Sequence, residues 1–199
     1  MIRWLKPIGW LVCIAYSNVP SFWLMVHPYA ERWRRRKQSP YLILLPAWIA
    51  MWGIIGAITA RWRTVALYST PWSWLPGVGL FAGGLWLYSE SSKHFSALQL
   101  GGIPEVSAGH REQRLVTSGI RSRVRHPVYL AHLCEMLAWS LGTGLLVCYA
   151  LTALAVLTGL VMIRMEDREL ELRFGDEYRP YRQQVPAILP RIKTQKILQ

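Results

Sequence analysis

The stretch P-V-Y-L-A-H-L-C-E-M-L-A-W-S-L-G-T-G-L-L-V-C-Y-A-L-T-A-L-A-V-L-T-G-L-V-M-I, residues 127–163, contains one charge, Glu135, in 37 residues. A membrane-crossing helix needs about 20 apolar residues. This block is too long for one crossing and long enough for two. Gly142-Thr143-Gly144 supplies the break, because glycine is the residue that most readily turns a chain sharply. The reading is a helical hairpin, 127–141 and 145–164, with the first arm short for a full crossing.

Three further charge-free blocks lie upstream: Pro7–Ala30, Gln38–Ala60 and Thr64–Ser89, of 24, 23 and 26 residues. Each fits one crossing, roughly 8–29, 41–60 and 66–89. The fold expected is therefore all-α: a polytopic helical membrane protein with about five transmembrane helices and a cytoplasmic C-terminal helical segment, forming a single domain over 1–199. Pro20, Pro46 and Pro76 fall inside spans, where neighbouring groups can satisfy the freed carbonyls. The first block is too long for a signal-peptide core and no small-x-small site follows it, so it reads as a retained helix.

Composition agrees. Of 199 residues, 52% are hydrophobic and 17% charged, against roughly 25% charged in soluble domains. The net charge of +12 first suggests nucleic acid. Its distribution points elsewhere. Segments 31–37, 90–126 and 164–199 hold 19 Lys and Arg, while the segments on the other side hold 4. By the positive-inside rule the C-terminus is cytoplasmic and the N-terminus outside, most simply in a bacterial inner membrane. The run Arg32-Trp33-Arg34-Arg35-Arg36-Lys37 reads as an interfacial anchor, with an anionic-lipid site as the alternative. Trp4, Trp33, Trp62, Trp72 and Trp74 sit near span ends, where indole rings favour the headgroup level. Cys13, Cys134 and Cys148 lie in apolar stretches without metal-ligand spacing and read as buried free thiols.

Polar residues concentrate in two segments flanking the hairpin, 113–129 and 164–190. In Arg125-His126-Pro127, the proline suits the first helical turn and pushes His126 toward an extended backbone. This His, with Tyr129 one turn on, is either a polar helix cap beside an interfacial tyrosine or part of a ligand site. Residues 162–175 read as a helix emerging from the membrane and ended by Gly175. Glu166, Glu169 and Arg173 share one face of it, either as a solvated, salt-bridged helix end or as a wall of a polar cavity. Asp167 and Glu171 form a like-charged i,i+4 pair, easier to understand if one has another partner. Glu135, at membrane depth, costs about 2.5–3.5 kcal/mol on insertion scales. It either faces the bundle interior or lies close to the interface. The five histidines, His27, His94, His110, His126 and His132, form no zinc or di-iron motif. No P-loop, G-x-G-x-x-G or G-x-S-x-G is present, and Gly101-Gly102 reads as a turn.

R-H-P-V-Y-L at 125–130 resembles the RHPxY signature of the integral-membrane methyltransferases. These include isoprenylcysteine carboxyl methyltransferase and the phospholipid N-methyltransferases. The block Glu166-Asp167, Leu170, Phe174-Gly175, Tyr178, Tyr181, Val185-Pro186 and Pro190 resembles their C-terminal motif. The resemblance covers about 113–191 and implies S-adenosylmethionine in a cytoplasmic-side pocket. The implied cofactor-binding residues are His126, Tyr129 and Glu166, backbone from Leu115 to Gly119, and Pro127, Glu169 and Tyr178. A lipophilic acceptor, an isoprenylcysteine-like carboxylate or a lipid amine, would enter from the bilayer. Arg164 or Arg125 could hold an anionic headgroup, and Glu135 could serve as base for an amine. No metal and no nucleic acid is expected; membrane lipids are. Three places depart from the family pattern. Gly119-Ile120-Arg121 stands where relatives often read Gly-Pro-Tyr, and Glu166-Asp167 where they often read Glu-Glu. Met162 stands close to the Arg that prenylcysteine enzymes use for the substrate carboxylate. A sterol-reductase-like enzyme and a non-enzymatic scaffold or small transporter are the competing readings. The first would need a nicotinamide site that no motif here supplies.

Overall fold

The computed structural model describes residues 4–36, 38–93, 106 and 114–190. Lys37, His94, Gly101-Gly102, His110, the ends of the expected cofactor segment at Gln113 and Arg191, and the tail 191–199 lie outside them. Among the described residues every named element is helical. They are α1 (Leu5–Ser17), α2 (Val19–Val26), α3 (Ala30–Arg34), α4 (Tyr41–Thr59), α5 (Trp74–Ser92), α6 (Pro127–Thr143), α7 (Leu146–Phe174) and α8 (Tyr178–Gln184), with short 3-10 turns between some of them.

The first apolar block is a bent path rather than one straight rod. Pro20 has no N–H to give the preceding turn, and the chain breaks at Asn18. Ser17 Oγ and Asn18 Nδ2 both donate to the Ile14 carbonyl, at 3.0 and 2.8 Å. Trp48 Nε1 donates to the Asn18 carbonyl at 3.1 Å. The break is thus closed from inside the bundle, as the tolerance of membrane helices for proline requires.

The hairpin forms where the glycines place it. Gly144 has φ +66°, and any Cβ there would run into the Tyr68 carbonyl. A Cβ on Gly142 would stand 2.5 Å from the Trp74 ring. Two more glycines bring α5 onto α6: a Cβ on Gly77 would lie 3.0 Å from the Ala138 carbonyl, and one on Gly84 would lie 2.9 Å from Glu135 Cγ. Small residues at a helix contact let two backbones approach closely. Here they place α5 directly over Glu135.

Two expectations change. Three helical segments, Leu5–Arg34, Tyr41–Trp62 and Leu146–Gln184, are long and apolar enough to cross a membrane; α5 and α6, at 19 and 17 residues, are not among them. The helix expected over 66–89 also begins at Trp74 rather than near residue 66. Residues 65–67 instead lie against the α6–α7 turn. Leu67 N–H donates to the Gly144 carbonyl at 2.8 Å, and Leu146 N–H donates to the Val65 carbonyl at 3.0 Å. Absence of charge marks an apolar environment, and a loop tolerates one when the turn beside it satisfies its backbone. α4 presents Leu42, Ile43, Ile49, Ile54 and Ile58 outward. A surface this apolar is what a lipid-facing helix presents. Cys13, Cys134 and Cys148 are free thiols, with Cys13 and Cys148 in the core between α1 and α7.

Candidate active site

The site is assembled where α6 begins. His126 caps the helix with φ −117° and ψ 63°, outside the helical well, as a residue before proline must be. The backbone just before it is clamped by the chain after α8. Arg125 N–H donates to the Pro186 carbonyl, and His126 N–H to the Ala187 carbonyl, both at 2.9 Å. The Arg125 side chain completes the clamp. Its Nη1 donates to the carbonyls of Arg182 and Val185, and its Nη2 to Asp167 Oδ2 at 2.7 Å. Arg125 is buried, with both terminal nitrogens committed to the protein. These bonds clamp the start of α6 to the chain after α8, while Arg125 Nε has no hydrogen-bond partner among the described residues.

The His126 ring is held between two acids from one helical turn. Its Nδ1 lies 3.3 Å from Glu166 Oε2, and its Nε2 lies 3.2 Å from Asp167 Oδ1. Both neighbours are acceptors, an arrangement that favours a proton on each ring nitrogen. Burial alone would push the imidazolium pKa down. The charges and hydrogen bonds of Glu166 and Asp167 outweigh it and raise the pKa to about 9. Tyr178, itself buried, donates its hydroxyl to Asp167 Oδ1. Asp167 therefore has three hydrogen-bond partners, with Arg182 Nε also 3.7 Å from its Oδ2. Glu171 takes Arg179 at 3.0 Å and Arg182 at 2.8 Å. This relieves the like-charged Asp167–Glu171 pair.

Glu166 is placed differently. Its Oε2 is buried, and apart from the His126 approach it completes no hydrogen bond. On its other side His27 Nε2 stands 4.0 Å away. His27 is buried and stacks on Trp23, with centroids 5.1 Å apart and planes at 20°, and neither of its ring nitrogens is hydrogen-bonded. Arg121 adds its positive charge to the Glu166 environment. Its Nη1 donates to the Arg125 carbonyl at 2.8 Å, and Tyr181 Oη donates to the Arg121 carbonyl at 2.8 Å. Tyr129 lies over the His126 ring, centroids 5.7 Å apart. A carboxylate oxygen and two imidazole nitrogens are thus buried without full partners among the described residues, which singles the cluster out as a candidate ligand site.

The other residues singled out in the sequence divide by position. Pro127 is buried at the first turn of α6. Gly119, with φ +61°, opens the 3-10 turn Gly119–Ser122, and Leu115 lies half-buried in the irregular segment before it. Glu169 is committed to Arg34 at 3.3 Å and to Arg173 at 3.1 Å, and so ties α3 to α7. Arg164 is exposed, about 200° around α7 from Glu166 at 100° per residue. The structure does not bring it to the His126 cluster. Glu135 is buried nine residues into α6, where it lines a cavity of about 450 Å³ with Tyr16 and Tyr88. It faces the bundle interior between α1, α5 and α6.

His27 and Arg121 are the site residues that motif reasoning missed. His27 is followed by proline at the end of an apolar block, as His126 is followed by Pro127. That repeated His-Pro pair was the available signal. Arg121, noted as a departure from the family pattern, proves to be a cation beside Glu166.

A family model described as Phospholipid methyltransferase matches residues 72–177, more than half of the chain. The chain belongs to the phospholipid methyltransferase family. Its relatives include the Protein-S-isoprenylcysteine O-methyltransferase of Xenopus laevis, 27% identical over 96% of this chain and 67% of that protein. The Homo sapiens enzyme of the same name is 37% identical over 42% of this chain and 30% of its own length. Methanethiol S-methyltransferase 1 of Bradyrhizobium diazoefficiens is 31% identical over 55% of this chain and 39% of that protein. The chain thus spans two thirds of the frog relative and under a third of the human one. No solved structure matches it. All three relatives are methyltransferases by name, and none of the three is named a reductase or a scaffold.

Proposed function

We propose that this protein is an S-adenosylmethionine-dependent methyltransferase of the membrane, acting on a lipophilic acceptor that enters from the bilayer. The observation that carries the reading is the His126–Glu166–His27 cluster, whose buried polar atoms lack full partners. S-adenosylmethionine supplies a methyl group already activated on a sulfonium, so the protein has alignment to provide more than acid–base power. Glu166 holds a donor group of the cofactor with its open lone pair. His27 offers a ring nitrogen beside it. His126, pinned by two acids, keeps its ring fixed, and Tyr129 lies against it. The backbone from Leu115 to Gly119, which leads into the turn carrying Arg121, contributes to cofactor binding in this reading. Asp167, Arg125 and Tyr178 act through His126 as positioning residues.

In this reading α5 and α6 complete five crossings as a packed pair, with the N-terminus outside and the C-terminus in the cytoplasm of a bacterial inner membrane. The support is the 19-to-4 asymmetry of basic residues. Purified protein in nanodiscs, incubated with methyl-labelled S-adenosylmethionine and a panel of lipid amines, thiols and prenylated cysteine, tests the proposal. Label in the organic phase that is lost in Glu166→Ala is the expected result. No label from any acceptor, together with no cofactor binding, contradicts it.

A further inference from the structure

The strongest concentration of charge outside the cofactor cluster lies on and just after α3. Residues 31–36 hold four arginines and one acid. They stand where the membrane-length segment Leu5–Arg34 ends, and shortly before Tyr41–Trp62 begins. Leu42 and Ile43, at the start of α4, are exposed. The patch is therefore at the edge of the apolar surface, the depth at which lipid headgroups meet a membrane protein.

The four arginines have different fates. Arg34 reaches Glu169 on α7 at 3.3 Å, and Arg35 pairs with Glu31. Arg32 and Arg36 are exposed and pair with no acid among the described residues. Each lies over an aromatic ring instead. The Arg32 guanidinium is 5.7 Å from the centre of the Tyr29 ring, and that of Arg36 is 4.9 Å from Trp33. Trp33 is itself fixed, because its Nε1 donates to the Met25 carbonyl at 2.9 Å and its ring packs against Phe22, Val26 and Leu44. Arg36 N–H donates to the Trp33 carbonyl at 3.1 Å, which continues the turn beyond α3. Orientation in the membrane requires only the number of basic residues. It does not require two guanidinium groups settled on rings with no carboxylate taking their N–H groups.

We propose that Arg32 and Arg36 bind the headgroup of an anionic phospholipid, and that this lipid tightens the cofactor cluster through α3. The coupling rests on the methyltransferase reading above; the lipid site does not. Guanidinium forks suit phosphate oxygens, and stacking on Tyr29 and Trp33 holds the side chains in place before the headgroup arrives, which lowers the entropy lost on binding. The link to the cluster is covalent and short. His27, 4.0 Å from Glu166, opens the turn His27–Tyr29 that runs directly into α3. At five residues, α3 is too short to hold its form alone. It depends on the Trp33 and Arg34 contacts. Arg34 docks it on Glu169, one turn along α7 from Glu166. A headgroup that binds Arg32 and Arg36 in the folded α3 stabilises that docking and the position of His27 with it. By linkage, cofactor bound at His27 and Glu166 strengthens lipid binding by the same factor.

The test uses the protein in phosphatidylcholine nanodiscs with and without phosphatidylglycerol. Electron paramagnetic resonance of spin-labelled phosphatidylglycerol and phosphatidylcholine measures lipid preference, and calorimetry measures S-adenosylmethionine affinity on the same samples. The expected preference for phosphatidylglycerol is threefold or more. It should be lost in the double variant Arg32→Gln with Arg36→Gln, whose positions are exposed and outside the core. It should persist when Arg123→Gln with Arg168→Gln removes equal charge from other exposed positions. Cofactor affinity should rise threefold or more with phosphatidylglycerol, and not in the Arg32, Arg36 variant, whose affinity in phosphatidylcholine alone should stay within twofold of the unaltered protein. No preference, a preference that survives loss of Arg32 and Arg36, or one lost equally in the Arg123, Arg168 variant overturns the lipid site. An equal rise in cofactor affinity from inorganic phosphate in phosphatidylcholine discs does so too, because it marks a site for soluble anions. A lipid preference with unchanged cofactor affinity overturns the coupling. Absence of cofactor binding in the unaltered protein under all conditions overturns the methyltransferase reading, and the coupling with it, while the resonance measurement still decides the lipid site.

Discussion

At the scale of single residues, the account turns on a histidine held by two carboxylates. Its folded pKa, about 9, lies above the ordinary value of 6.5. The stabilisation is therefore complete below pH 6.5 and is lost as pH rises toward and past 9. A shift of that size corresponds to at most about 3 kcal/mol. Thermal unfolding in detergent should show a midpoint that falls between pH 6.5 and 9.5. In His126→Gln this fall should be largely absent; an equal fall in that variant would place the titration elsewhere. Glu166→Ala should lower cofactor affinity at least tenfold while the helical circular dichroism stays unchanged. Unchanged affinity would mean that the acidic turn is only structural. It was the resemblance to a family that named His126, Tyr129 and Glu166 as a set; residue types and spacing left them open between structural and ligand roles. They could not distinguish Glu166, with an open oxygen, from Asp167, whose oxygens are taken by Arg125, His126 and Tyr178. Nor could they show that Arg125 spends its donors on carbonyls 57 and 60 residues further along. Partners that distant are fixed by tertiary packing, which local pattern does not encode.

Among the elements, the α6–α7 hairpin was the most legible, because two glycines interrupt a block too long for one helix. Gly144→Ala places a side chain at φ +66°, toward the Tyr68 carbonyl. The left-handed conformation alone costs roughly 1–2 kcal/mol, so the unfolding midpoint and the folded yield should both fall clearly. Wild-type stability in that variant would show that the turn can rearrange freely. Least legible was the start of α5. The segment before it is as charge-free as a span, but Val65 and Leu67 find backbone partners in the turn between α6 and α7. The break at Asn18 was half visible, since Pro20 announced a kink while the donors that close it come from side chains. Glu169, read as a cofactor contact, joins α3 to α7 through Arg34 and Arg173. Its sequence position on the Glu166 face was right, and the competing partner from the far end of the chain was invisible.

At the scale of the whole molecule, the apolar blocks and the one-sided basic charge describe a helical membrane protein whose polar chemistry gathers at one end of the α6–α7 hairpin. Five crossings require the two termini on opposite sides. A cysteine introduced at Trp4 should then react with an impermeant maleimide from outside intact cells, and one at Glu177 should react only after lysis, in a background lacking the native thiols. Labelling of both from outside would contradict the proposed topology. What unites the scales is a polar cluster built from two distant parts of the chain: His27 from the N-terminal helices, and His126 with Glu166 from the C-terminal half. The most direct measurement is calorimetric titration of S-adenosylmethionine and its demethylated product into the purified protein in nanodiscs. The account predicts saturable binding of both, weakened at least tenfold by Glu166→Ala and also weakened by His27→Ala. No heat of binding for either ligand at millimolar concentration would contradict it.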